Sequence, residues 1–405
     1  MSNIKISFIG DIMSEPCLLS EVSTGHGYDY THVFSQLKGL LEESDYVIGN
    51  LETPVAGESF GYSDSLFSFN SPESILVALK DIGINMLSTA NNHTMDKGYE
   101  GLSATIDNLD KYGISHSGTY KTDYKGDRTH YFQINNTTFA VIAYTYSSNY
   151  RLHHKYLDHQ HENCINFLMP YDSPGIAKPA PKEFTDVKLL FSQLLGRELT
   201  REESTRLKVA MKIPVAYADD VFDKEAVDRC LKKVERDCIE AKSKADLVFF
   251  YPHMGGQFNV EVGELSSYIM NCCSKMGFDA IISNHPHTIQ KAEYLNNIPC
   301  FYSLGNVSQS PISVYAVRET LPEYGLVCHL YISDNTIIRV SFSFFKILEG
   351  ENLPMTVIPI TTLVKQLSDE GKKILENDLS NLYLRITGNE LTGNIIREEY
   401  ELDGS

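Results

Sequence analysis

Several features are missing from this 405-residue sequence, and each absence closes off a class of function. No apolar run approaches the ~20 residues needed to cross a bilayer, so no membrane span is expected. The opening MSNIKISFIGD has no charged segment leading into a long apolar one, so no secretory signal is expected. The eight cysteines form no C-x-x-C pair, and several sit in apolar patterns typical of buried thiols. A reduced, cytoplasmic protein is the expectation. Positive charge is scarce as well: 35 Lys and Arg against 53 Asp and Glu leave a formal net charge of -18. Nucleic-acid backbones need a basic footprint, so nucleic acid is not the expected partner. An anionic substrate stays open, because a bound metal inverts the local charge. No internal repeat or low-complexity segment stands out.

What is present is an α/β rhythm whose strands end in chemically useful residues. Residues 4–9 read as a buried strand ending at Gly10 and Asp11. A second strand, 45–49, ends in Asn50, Leu51, Glu52, Thr53 and Pro54. A third, 84–88, runs into a loop holding Asn91, Asn92, His93 and Asp96. Runs at 131–134 and 138–144 read as a hairpin whose exit carries Thr145 and Asn149, and 246–251 leads to His253. A short strand precedes IISNHPHTIQ at 281–290, and 300–304 ends at Gly305 and Asn306. Helical spacing marks 33–43, 73–81, 99–112, 185–195, 201–211, 224–244 and 264–276. Alternation at 325–332 and 336–345 predicts an antiparallel pair, and the segment after 345 reads as a peripheral extension.

In an extended backbone residues two apart share a side, and Pro286 pushes its predecessor towards extension, so His285 and His287 are expected to emerge side by side. Any one of these polar residues is also explained by turn chemistry, and Asp96 equally as a helix N-cap. Together, Asp11, Asn50 or Glu52, Asn92, His253, His285 and His287 form a carboxylate, carboxamide and imidazole set suited to Zn²⁺, Mn²⁺ or Fe²⁺. His93, beside Asn92, is the candidate general acid or base, with Asp96 orienting its ring. Thr145, Asn149 and Asn306 are candidate substrate contacts. The rhythm breaks over 151–218, read as an inserted lid or substrate-binding segment; its His153, His154, His159 and His161 read as a solvated loop.

Taken in order, GDIM at 10–13, GNLETP at 49–54, NNHTMDKG at 91–98, HMGGQ at 253–257, HPHTIQ at 285–290 and YSLGN at 302–306 resemble the CapA family. These are poly-γ-glutamate capsule synthesis proteins of the calcineurin-like metallophosphoesterase superfamily. The resemblance implies a four-layer αββα sandwich over residues 1–345, with a centre of one or two divalent metals at one edge of the paired sheets. Asp11 matches the first metal aspartate, Asn50 the bridging position with Glu52 as compensating carboxylate, and Asn92 and His93 the metal asparagine and its catalytic neighbour. His253, His285 and His287 match the later histidine ligands, with His287 serving the position that Met13 weakens by replacing a histidine. Met254, Gln257 and Asn284 also depart from the family's usual residues. The implied activity is metal-dependent hydrolysis of a phosphoester or amide in a small molecule or anionic polymer. The alternative is a non-hydrolytic part in capsule polymer synthesis or export.

Overall fold

The computed structural model describes residues 3–64, 68–149, 154–158, 160–170, 182–199, 201–211, 219–220, 222–313, 316–350 and 353–403. His153, His159 and the proline-rich stretch 171–181 lie outside them. In chain order the principal strands are β1 (Ile4–Ile12), β2 (Tyr46–Leu51), β3 (Met86–Ser88), β4 (Ser115–Ser117), β5 (His130–Ile134), β6 (Thr137–Thr145) and β7 (Leu247–His253). They continue with β8 (Ala280–Ile282), β9 (Ala292–Leu295), β10 (Ile298–Phe301), β11 (Tyr324–Ser333), β12 (Thr336–Gly350), β13 (Leu353–Pro359) and β14 (Tyr400–Glu401). The longer helices are α1 (Ser74–Asp81), α2 (Gly98–Tyr112), α3 (Lys182–Leu195), α4 (Arg201–Ala210), α5 (Lys224–Lys242), α6 (Glu264–Cys273) and α7 (Asp369–Thr387).

Apolar side chains occupy both faces of the central strands, so both faces need cover. Two sheets provide it for each other. One has the order β13-β12-β11-β1-β2-β3-β4 with β14 beside β12; the other runs β9-β10-β8-β7-β6-β5. Ile6, Phe8, Ile48 and Met86 face Val141, Phe249, Tyr251 and Ile282 in one shared core, where Phe8 meets Phe249 edge-on at 5.6 Å. The outer face of the first sheet, with Val47, Leu87 and Val327, packs on Ile75, Leu76 and Leu79 of α1. The outer face of the second, with Ala140, Ile142, Val248 and Phe250, packs on Val227, Leu231, Val234 and Cys238 of α5 and Leu265 and Ile269 of α6. The result is a four-layer αββα sandwich. All eight cysteines are unpaired thiols. Among the described residues no helix is long and apolar enough to cross a membrane.

Two expectations need correction. Residues 33–43 are not one helix but three short turns, Thr31–Phe34, Ser35–Leu37 and Lys38–Leu41. The extension after 345 is not peripheral, because its sheet edge and helix are buried parts of the sandwich. Residue 345 falls inside β12, β13 extends the first sheet, and Leu375, Leu379, Leu382 and Ile386 of α7 enter the shared core. Near the other end of the chain, Lys5 Nζ donates to Glu399 Oε1 at 2.9 Å. Burial pushes the Glu399 carboxyl up, but hydrogen bonds from Tyr331, Lys5 and Ser341 prevail and hold it at about 2.

Leu379→Ala should lower unfolding free energy by about 2–5 kcal/mol, as a fully buried leucine does. Urea denaturation measures it, and a loss below about 1 kcal/mol would place α7 outside the core. Glu399 has a depressed pKa, so its contribution is complete above 4.5 and is lost as pH falls towards about 2. Glu399→Gln should flatten acid denaturation across that window.

Candidate metal centre

Strand register brings the polar strand ends together. Asp11 pairs with Asn50, Asn50 with Ser88, and Thr145 with His253. Isolated bridges join Asp11 to Asn306 and His253 to Asn284. β1 therefore continues through Asp11 to Ile12 rather than stopping before it. The close approach needs Gly10: a Cβ there would lie 1.9 Å from the Gly305 carbonyl oxygen. That contact lets the Asp11 amide donate to Gly305 at 3.1 Å and draws Asn306 to the sheet edge.

The donor atoms converge. Asn50 Nδ2 donates to Asp11 Oδ1 at 2.6 Å and lies 3.1 Å from His253 Nδ1. His253 Nε2 lies 2.7 Å from Asn92 Oδ1 and 3.0 Å from His285 Nδ1. Glu52 Oε1 is 3.4 Å from His253 Nε2, 3.6 Å from His287 Nε2 and 4.0 Å from His285 Nδ1. His287 Nδ1 is 3.5 Å from Asp11 Oδ2. Two triads offer ligand atoms within 4.8 Å of one another, Glu52–His285–His287 and Asp11–Glu52–His253. Glu52 is common to both. Asn50 instead spans Asp11 and His253 with its amide nitrogen while Asn91 Nδ2 approaches its oxygen at 3.4 Å. Met13 belongs to neither triad; its amide donates to Ser308 Oγ, whose hydroxyl donates back to Met13 O.

The electrostatics ask for a cation. Both Glu52 oxygens are buried without a hydrogen-bond partner. Burial, and then Asp11 beside it, pushes the Glu52 carboxyl well above the usual range. Burial likewise pushes His253 and His285 well below theirs, and the neighbouring imidazoles add to it. Unpaired buried carboxylate oxygens cost several kcal/mol, a cost that an opposite charge removes. Neutral imidazoles and carboxylates are ligands for a borderline or hard divalent ion, so the residues fit the expected metal.

The histidine pair reaches the centre by a different route from the one expected. The strand ends at Ile282, and His285 and His287 have φ of 110° and 56°, in the left-handed region rather than extended. Such non-glycine conformations persist only where neighbours over-determine them. The His285 amide donates to Asp11 Oδ2 at 3.0 Å, and the Phe258 amide to Pro286 O at 2.6 Å. Asn306 receives His287 Nδ1 at 3.0 Å on its Oδ1 and donates Nδ2 to His287 O at 2.9 Å. Asn306, a candidate substrate contact, thus has its side chain engaged in holding a histidine. Thr145 is similarly occupied, its hydroxyl donating to Ser147 O, and the Asn149 amide donates to Asn92 O.

His93 stands beside the cluster with its Nδ1 2.7 Å from Asp96 Oδ2, which also accepts from the Phe69 amide at 2.7 Å. Phe69 stacks on the His93 ring at 4.2 Å. Sequence reasoning missed Phe69, Tyr146 (its ring 4.7 Å from His285) and Phe258 (5.7 Å from His287). They are isolated aromatics in loops, where no periodicity marks them. Of the insertion's histidines, His161 pairs with Asp158 and neither it nor His154 enters a donor triad.

The family described as bacterial capsule synthesis protein PGA_cap matches residues 5–310. A PGA biosynthesis protein CapA of Bacillus subtilis (strain 168) is 24% identical over 305 residues, 75% of this chain and 62% of that one. The chain thus spans less than two thirds of that relative's length. A capsule biosynthesis protein CapA of Bacillus anthracis is 23% identical over 374 residues, covering 91% of this chain and 74% of its own. Among solved structures, that of a hypothetical protein from Thermus thermophilus covers 85% of this chain and 99% of its own, with 13% identity and a TM-score of 0.42.

Because Glu52 serves both triads, Glu52→Gln should lose more bound metal than His287→Ala. Elemental analysis after dialysis decides this, and equal metal content in Glu52→Gln and wild type would remove Glu52 from the ligand set.

Proposed function

The chain belongs to the PGA_cap family of bacterial capsule synthesis proteins, and from that premise we propose a capsule-related, metal-dependent hydrolase. The observation that carries the reading is Glu52, buried and unpaired, shared by two donor triads beside the His93–Asp96 pair. Asp11, Glu52, His253, His285 and His287, with Asn92 Oδ1, would hold one or two divalent ions. The chemistry such ions supply is Lewis acidity, which polarises a phosphoryl or acyl group and makes a nearby water more acidic.

The protein's own part is proton handling and orientation. Asp96 accepts from His93 Nδ1, so Nε2 is the ring atom left to deliver a proton to a leaving group. Phe69 fixes the plane of that ring and, through its amide, the carboxylate behind it. The substrate class is a phosphoester, or an amide, in an anionic capsule precursor or polymer. A second reading, binding such a polymer without cleavage, draws on the family's description as capsule synthesis proteins, which names synthesis and no hydrolysis.

His93→Ala should abolish turnover, a loss of at least about 10²-fold, with metal content unchanged. Undiminished turnover would sink the general-acid assignment. Generic phosphodiester, monoester and amide substrates with Mn²⁺ separate the two readings: a metal-loaded wild type inactive on all of them favours binding.

A further inference from the structure

Arg385 projects from α7, beyond the family-matched residues 5–310, towards the segment that follows His287. Its Nη1 donates to Thr320 O at 2.8 Å, Thr288 Oγ1 at 3.2 Å and Ile289 O at 3.3 Å. Thr288 Oγ1 itself donates to Thr320 O at 2.7 Å, so the guanidinium closes a knot over the two residues after His287. Burial lowers its pKa to about 10, with the nearby Glu261 carboxylate opposing that shift. A surface arginine could keep water on all its donors. Here Nη1 is held against neutral oxygens at the backbone stretch that follows the left-handed His287.

We propose that Arg385 is a positioning residue for the metal centre, fixing the backbone of Thr288 and Ile289 so that His287 holds its ligand geometry. Asn306 holds both the ring and the carbonyl of His287, and Arg385 holds the two residues that follow it, through Thr288 Oγ1 and Ile289 O. The C-terminal helix is thereby part of the metal centre, although it supplies no ligand. This rests on the metal-centre reading above. Residues that orient ligands commonly change metal affinity 10–100-fold when removed.

The test is Co²⁺ titration of the metal-stripped full-length protein, read by its visible absorption. Arg385→Met should weaken Co²⁺ binding about 10–100-fold and alter the spectrum. Leu379→Ala, on the same helix but in the shared core, should destabilise the protein and leave affinity and spectrum near wild type. Arg385→Ala should recover affinity in millimolar guanidinium, and the Leu379→Ala control should not respond. Should Arg385→Met fail to fold, Thr288→Val deletes one acceptor without touching the helix, and should weaken Co²⁺ binding several-fold. Wild-type affinity and spectrum in both Arg385→Met and Thr288→Val, or in Thr288→Val alone if Arg385→Met does not fold, would overturn the proposal. A wild type that takes up no Co²⁺, or a His285→Ala that binds it equally, would overturn the metal-centre reading and this proposal with it.

Discussion

Water solvates a carboxylate far better than a protein interior does, and Glu52 is out of water with neither oxygen hydrogen-bonded. Much of the surrounding structure follows from that constraint. Asp11 lies beside it and raises the cost further; three imidazoles lie within about 4 Å, and burial opposes the charging of two of them, His253 and His285. Remove the assumption of a cation and the cluster is a set of groups each making the others worse. Restore it, and every member becomes a ligand or a neighbour of one. The polar groups just outside behave differently. Asn306 and Asn91 have their side chains bonded to named partners, and Asp96 Oδ2 accepts from both His93 and the Phe69 amide, so they act as rigid supports.

How much of this was legible in the sequence depended on whether the information was local. A short apolar run that stops at a carboxylate or imidazole is a local signal, and Asp11, Glu52 and His253 do lie at such ends. Their convergence follows from register, which alternation alone constrains poorly until the partner strands are known. The His-Pro-His stretch brought its two imidazoles into the cluster by a backbone other than the expected one, because steric rules for Pro286 were outweighed by hydrogen bonds from Phe258 and Asn306, far away in sequence. Asn306 read as a substrate contact since nothing in its own neighbourhood points to His287. The C-terminal segment read as peripheral because nothing local to it says whether Leu375, Leu379, Leu382 and Ile386 cover a core or merely a surface.

The same distinction bears on chemistry. Residue types named a metal and a proton donor, and the distances add an order to them: Glu52 in common, Asp11 with His253 on one side, His285 with His287 on the other, His93 apart and braced by Asp96. Two devices keep that order, both made of backbone contact. Gly10 admits the Gly305 carbonyl, and Pro286 lies against Gly255, where a Cβ would sit 2.8 Å from its ring.

The ion pair between Lys5 and Glu399 spans almost the whole chain, and α7 enters the core that β1 begins. Vectorial synthesis delivers these parts at opposite times. The first strand, with Asp11, must wait through the making of Glu52, His253, His285 and His287 and then of the helix that enters the shared core. Long-range pairing of this kind is slow and leaves sheet edges unpaired meanwhile. The cluster of Asp11, Glu52, His253, His285 and His287 is therefore complete only in the finished fold, once α7 has closed the core, and not in any partial chain.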